Sequence, residues 1–226
     1  MRRSIGVLLP HEYVGKIVAK LGHDKFRVNE ASWNADFGVG KMIKEWGEAV
    51  GVDSREAVGI GLHADGVSYT TSQRVGHSKS CLVASWNIVS AEQDAHRGLR
   101  HLFFAINKAT CCDCGCEGFC TFNELFRVFS WSMEALRNGV VRARRHDGRE
   151  WTAYDKKARV LGPLPHKAGL VQVRGDWEWL SQCFRFRHVG NDNFCWMCEA
   201  THTGAFSFHN MADGAAYCPT TVTHEG

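Results

Sequence analysis

Ala57-Val58-Gly59-Ile60-Gly61-Leu62-His63-Ala64 runs without a formal charge into Asp65-Gly66, and the reading of this stretch decides the fold. A short apolar run bounded by a turn dipeptide predicts a buried strand ending at Asp65-Gly66. Working outward, Cys81 to Val89 (CLVASWNIV) predicts a second strand and Leu102 to Ile106 (LFFAI) a third. Phe122, Leu125, Phe126, Phe129, Met133 and Leu136 recur at helical spacing and mark one apolar face of a long helix. Thr121 and Glu124 are spaced as a capping box at its start, and Asn138-Gly139 closes it. Gly169 to Arg174 (GLVQVR) predicts a fourth strand, which runs through Gly175-Asp176 into a helix from Trp177 onward. Upstream, residues 11 to 21 and 42 to 50 carry two apolar helical stripes, ended by Gly22 and Gly51. Helices, three successive strands, then helix, strand and helix predict an α/β layered domain with a mixed sheet flanked by helices. Residues 1–54 read as an N-terminal helical cover, 55–190 as the α/β core, and 191–226 as a Cys/His-containing C-terminal extension. All three are expected to form one compact unit.

The chain has 226 residues, 44% of them hydrophobic and 23% charged, which is the balance of a globular protein able to bury a core without disulfide staples. No apolar run approaches the 18 residues of a membrane span, so no membrane partner is expected. The apolar stretch from Ile5 to Leu9 stops at Pro10-His11-Glu12, too short for a signal-peptide core, and an intracellular location is expected. In that setting the ten cysteines are expected as thiols or metal ligands. Cys81 and Cys183, each alone in an apolar context, read as core residues. The sequence contains no G-x-x-x-x-G-K-[ST], no G-x-G-x-x-G after a strand and no G-x-S-x-G. P-loop, Rossmann and α/β-hydrolase chemistries are therefore disfavoured.

Two acids stand out because each ends a predicted strand. Asp65 closes the first and Asp176 the fourth, and functional groups in open α/β sheets gather outside strand ends. Carboxylates meeting there can share Mg²⁺, which takes few protein ligands and keeps water or phosphate as the others. Each acid also has an ordinary reading: Asp65 as a turn residue, Asp176 as a helix N-cap. His63 lies two residues before Asp65, on the same strand face.

Cys195-Trp-Met-Cys198 is a C-x-x-C knuckle that could hold structural Zn²⁺ with His209 and Cys218 as further ligands, His202 also being within reach. Free thiols in a turn are the alternative. A second cluster, Cys111, Cys112, Cys114, Cys116 and Cys120, could hold a soft metal, with Cys111 and Cys114 best spaced for zinc. Net charge is only +3, but Arg137 to Lys167 carries nine Lys/Arg against Asp147, Glu150 and Asp155. Arg142, Arg144, Arg145, Arg149, Lys156, Lys157 and Arg159 within it are candidate phosphate contacts, which points to a phosphate-bearing partner. A solvated loop would show the same composition.

Ile60-Gly-Leu-His-Ala-Asp65-Gly66-Val67 resembles the first catalytic motif of CACTA-type and Plavaka-type DDE transposases, where a hydrophobic strand ends in Asp-Gly. Arg174-Gly175-Asp176-Trp177, then Phe186-Arg-His-Val, then Cys195-x-x-Cys198, resembles their second motif and its knuckle. The resemblance covers roughly residues 55 to 200. It implies an RNase H-like fold, Asp65 and Asp176 as catalytic Mg²⁺ ligands, and Cys195 and Cys198 as the knuckle pair. It also implies cleavage of DNA by water, attack of the freed 3′-hydroxyl on target DNA, and a nuclear location. The family's third acid, a downstream Glu, has no evident match: Glu199 abuts the knuckle and Glu225 lies at the end. The expectation is a truncated or degenerate transposase-derived protein. The alternative is a non-catalytic, zinc-stabilised module that binds nucleic acid or protein.

Overall fold

The computed structural model describes residues 5–68, 80–90, 98–116, 118–154, 162–186, 190–193, 195, 198–207, 209–210, 212 and 214–216. They fall into two compact units: Met1–Cys111 with Cys120–Arg174, and Cys112–Phe119 with Gly175–Gly226. These divisions cut across the sequence boundaries at 54/55 and 190/191.

The first unit is built on a four-stranded mixed sheet of β1 (Ala57–Ser68), β2 (Ser80–Ile88), β3 (His101–Asn107) and β4 (Lys167–Gly175), in the order β3-β2-β1-β4. β1 and β2 pair antiparallel, as do β2 and β3. The two faces of β1 differ in residue size. Ile60, Leu62 and Ala64 are at most 1% exposed and alternate with Gly59, Gly61, His63 and Asp65 on the other face. The glycines admit a helix: a Cβ at Gly59 would stand 2.8 Å from Ile43 Cδ1 and 3.2 Å from Val171 Cγ2. Gly169 of β4 likewise leaves room for the Trp46 ring. Helix α3 (Val39–Val50) therefore sits on the glycine face through Ile43 and Trp46 and ends at Gly51, which takes a left-handed conformation at φ 66°. The short helix α2 (Glu30–Trp33), capped by Asn29, precedes it and was not legible as a helix.

The other face is covered by α4 (Phe119–Asn138), whose stripe of Phe122, Leu125, Phe129, Met133 and Leu136 is buried. The Phe103 ring of β3 lies 5.0 Å from Phe129, and Phe104 lies 6.4 Å from Phe126. Helix α1 (Pro10–Leu21) packs on α4 through buried His11, whose Nδ1 is 2.9 Å from Ser132 Oγ. Trp86, fully buried, donates its indole N–H to the Leu8 carbonyl.

Two expected boundaries are corrected. α4 begins at Phe119, so Thr121 lies within its first turn and the Thr121/Glu124 capping box does not form its start. β1 does not stop at Asp65: Asp65 pairs opposite Val83, and the ladder continues to Ser68 opposite Ser80. Gly66 also lacks the positive φ that a two-residue hairpin turn would need.

In the second unit, α5 (Trp177–Phe184) is capped by Asp176, whose Oδ1 accepts the Trp179 N–H at 2.6 Å. It ends at Arg185, the one non-glycine residue at positive φ among those described (59°). The Arg185 guanidinium lies over the Phe119 ring at 4.8 Å. Cys183 is buried here as expected, whereas Cys81 of the first unit is only half-buried.

Candidate functional site

Asp65 stands exposed on the glycine face of the central strand β1, the face opposite α4. Its Oδ1 accepts the Gly66 N–H at 2.7 Å, leaving Oδ2 for another partner. His63, half-buried, shares this face and lies opposite Ser85 of β2. Asp176, also exposed, follows β4 by one residue and uses one carboxylate oxygen as the cap of α5. Each carboxylate thus has one oxygen tied to a backbone amide. The hard oxygen donors of both suit Mg²⁺ in kind. Of the two Glu weighed as a third acid, Glu199 is exposed and Glu225 lies outside the described residues.

On the Asp65 side of the sheet, a cavity of about 320 Å³ is lined by Val39, Asn87, Val89, Gly98, Arg100, Gln172 and Arg174. Arg174 Nη2 reaches Asn87 Oδ1 at 3.4 Å. Asn87 is opposite Gly61, where a Cβ would stand 2.6 Å from Val89 Cγ1 and 2.9 Å from Asn87 Oδ1. Only glycine leaves this floor open. Arg100 belongs to no motif and Arg174 only to the string around Asp176, so no spacing announced the cavity. It is made by a cross-strand neighbour, a strand end and a loop.

The basic segment is an ordered hairpin over its described part. Arg144 and Glu150 form an antiparallel bridge, the Arg145 N–H donates to the Arg149 carbonyl at 2.9 Å, and Gly148 turns at φ 79°. Two indoles hold it: Trp131 of α4 donates to the Arg144 carbonyl at 3.1 Å, and Trp151 to the Arg142 carbonyl at 2.9 Å. Arg142 pairs with Glu134. Asp147 sits between Arg145 and Arg149 at 3.8 and 3.7 Å, and the Arg149 backbone N–H holds its carboxyl below the ordinary range. A shallow depression of about 440 Å³ is lined by Trp131, Arg142, Ala143, Arg144, Arg145, His146 and Gly148. Trp131 fastens this hairpin to α4, so it belongs to the side of the sheet opposite Asp65. Lys156, Lys157 and Arg159 lie outside the described residues.

The metal-type clustering falls in the second Cys run, on four of the five cysteines named there. Cys112, Cys114, Cys116 and Cys120 bring four Sγ atoms within 4.8 Å of one another, a cluster that could hold a metal such as zinc. A tetrahedral site with Zn–S near 2.3 Å separates its sulfurs by about 3.8 Å, so the thiols need only small adjustments. Cys112 Sγ lies 2.9 Å from Cys116 Sγ and 3.7 Å from Cys114 Sγ. Cys111, the expected partner of Cys114, is outside the quartet, and its N–H closes a 3₁₀ turn on the Lys108 carbonyl. A single short run folds back on itself at Gly115 (φ 82°) to make this cluster. At the knuckle, the half-buried Cys195 and Cys198 place their sulfurs 3.3 Å apart. His209 is exposed, its backbone N–H donating to Ser207 Oγ, and Cys218 lies outside the described residues. Among the described residues, the Cys112–Cys120 quartet is the one group of three or more such ligands at metal-site spacing.

Among those same residues, no helix is long and apolar enough to cross a membrane. No family model matches this sequence, and no curated protein or solved structure matches it either.

Proposed function

We propose that this chain is a polynucleotide-processing core of the RNase H-like type, derived from a CACTA/Plavaka-type transposase, in which Asp65 and Asp176 hold Mg²⁺. The observation that carries this reading is the strand order β3-β2-β1-β4, with the long helix α4 between β3 and β4 and Asp65 exposed on central β1. Its residue-level support is that each acid keeps one carboxylate oxygen clear of its backbone bond. Bound Mg²⁺ would polarise a phosphodiester and lower the pKa of an attacking water. The chain's own contribution is to present two carboxylates of fixed orientation, each anchored through Oδ1 to a neighbouring amide.

The test is nicking of supercoiled and linear DNA with Mg²⁺ or Mn²⁺, comparing the protein with Asp65→Asn and Asp176→Asn. Asparagine keeps both backbone hydrogen bonds and is as good a helix cap as aspartate, so the fold is preserved while the charge is lost. Cleavage abolished by either substitution is the expected result. Metal-independent cleavage, or none under any condition, removes the catalytic reading.

A second reading, a zinc-stabilised nucleic-acid-binding module without catalysis, is favoured by the Cys112–Cys120 quartet and by the indole-held arginine hairpin. It predicts salt-sensitive DNA binding that survives Asp176→Asn.

A further inference from the structure

The cavity beside Gly61 has an unusual charge pattern for a partly enclosed site. Two guanidiniums, Arg100 and Arg174, line it together with the amides Asn87 and Gln172, and among the described residues no carboxylate does. Arg174 Nε is buried and has no hydrogen-bond partner among the described residues, although Nη2 reaches Asn87. Neither arginine has an acidic partner among those residues. An unpaired buried guanidinium N–H is costly if nothing fills the site, because it has given up its water without gaining an acceptor. A group that would satisfy it must be anionic, must accept several hydrogen bonds, and must fit about 320 Å³. Tetrahedral phosphate meets all three demands, and arginine's planar fork suits it.

We propose that this cavity is a phosphate site, in which Arg174 and Arg100 bind the anion and the Asn87 and Gln172 amides orient it. The inference goes beyond the catalytic reading and rests on it only for what carries the phosphate. Gly61 and Asp65 are four residues apart on the same face of β1, about 13 Å at strand rise. A polynucleotide lying along this face would place one backbone phosphate in the cavity while another lies near Asp65. A free nucleotide offers the same chemistry without the span.

The experiment uses the full chain and its Arg174→Met and Arg100→Met variants, and inorganic phosphate as the first probe. Phosphate is expected to raise the thermal midpoint of the unsubstituted protein, and to do so about tenfold less effectively in concentration terms for Arg174→Met. Without phosphate, Arg174→Met should be at least as stable as the parent, because it removes an unsatisfied buried donor. That separates loss of the site from loss of the fold. The second probe is a single-stranded DNA oligonucleotide titrated across salt concentrations. If the phosphate is a backbone phosphate, Arg174→Met lowers the slope of log K against log salt by about one. An unchanged slope, together with mononucleotide binding by the parent that Arg174→Met weakens, assigns the site to a free nucleotide. No phosphate effect in any form of the protein, or an equal effect in parent and Arg174→Met, overturns the proposal. Phosphate binding without metal-dependent nicking would leave this site standing and remove only the catalytic reading.

Discussion

His166 and His23 stack face to face with ring centroids 4.7 Å apart and planes 14° from parallel. Burial, and then the neighbouring His23 imidazole, hold His166 below its ordinary value of 6.5; Glu56 opposes them weakly. The folded state therefore keeps His166 neutral at pH values where the unfolded chain would protonate it. The unfolded state binds more protons in that window, so its contribution to stability is fully present above about pH 6.5 and is lost as the pH falls towards the depressed folded value. Urea unfolding at a series of pH values from about 7.5 to about 5 should show this acid loss, and His166→Asn should flatten it. An identical acid limb in the variant would assign the loss to other groups. His101 is the control to measure beside it, because burial lowers its pKa too, against the Trp86 ring at 4.5 Å.

At the level of the element, the arginine hairpin owes its order to tryptophan. A loop rich in Lys and Arg is ordinarily solvated and mobile, but here two indole N–H groups bind the carbonyls of Arg142 and Arg144. The rings of Trp131 and Trp151 also lie 5.8 Å apart, so each braces the other. Trp151→Phe keeps the apolar contact and removes one hydrogen bond, at a cost of about 1 kcal/mol in global stability. If the hairpin carries phosphate contacts, the same substitution also weakens DNA binding, by a factor that falls as salt rises. Stability loss without any change in DNA affinity would make the hairpin a structural feature alone. The hairpin was not legible in the sequence because its order comes from indole-to-carbonyl bonds 13 and 9 residues apart, which no spacing rule flags, while composition registers only charge. The strands and long helices were legible because their signals are local: the apolar run in β2, the Phe122-to-Leu136 stripe in α4, and glycine at the ends of α1 and α3. The start of α4 was misread because a capping-box spacing at Thr121/Glu124 fits many sequences by chance. The end of β1 was misread because Asp-Gly is a turn signal only when the partner strand stops with it, and β2 does not.

Across the whole molecule, the sheet order emerges from which strand β1 accepts as its second neighbour, and the glycines of β1 and β4 that receive α3 make that choice physically possible. That much follows from residues the sequence displays. The Cys run was legible as a possible soft-metal cluster, but not which four thiols converge, because C-x-C-x-C-x₃-C has no standard geometry and its fold depends on the turn at Gly115. This run also matters for the second unit, since Cys112–Phe119 belongs with Gly175–Gly226. Its last residue, Phe119, carries the Arg185 guanidinium on its ring, so order in the run and order at the end of α5 are linked. A metal held by the quartet would therefore cross-link this run to the first turn of α4, and its binding free energy would be folding free energy. Protein purified without chelator is expected to contain one zinc per chain, and Co²⁺ substitution should give the visible bands of a tetrahedral thiolate site. Cys116→Ser or Cys120→Ser should abolish that signature, while Cys111→Ser leaves it intact. Hydrogen exchange adds the spatial test. Chelation should speed exchange of amides in residues 118–122 and 177–185 and leave β1, β2 and β3 protected. Uniform loss of protection over both units would mean that the metal supports the whole fold. No zinc in the purified chain, and no cobalt spectrum after reconstitution, would reduce the quartet to four neighbouring thiols.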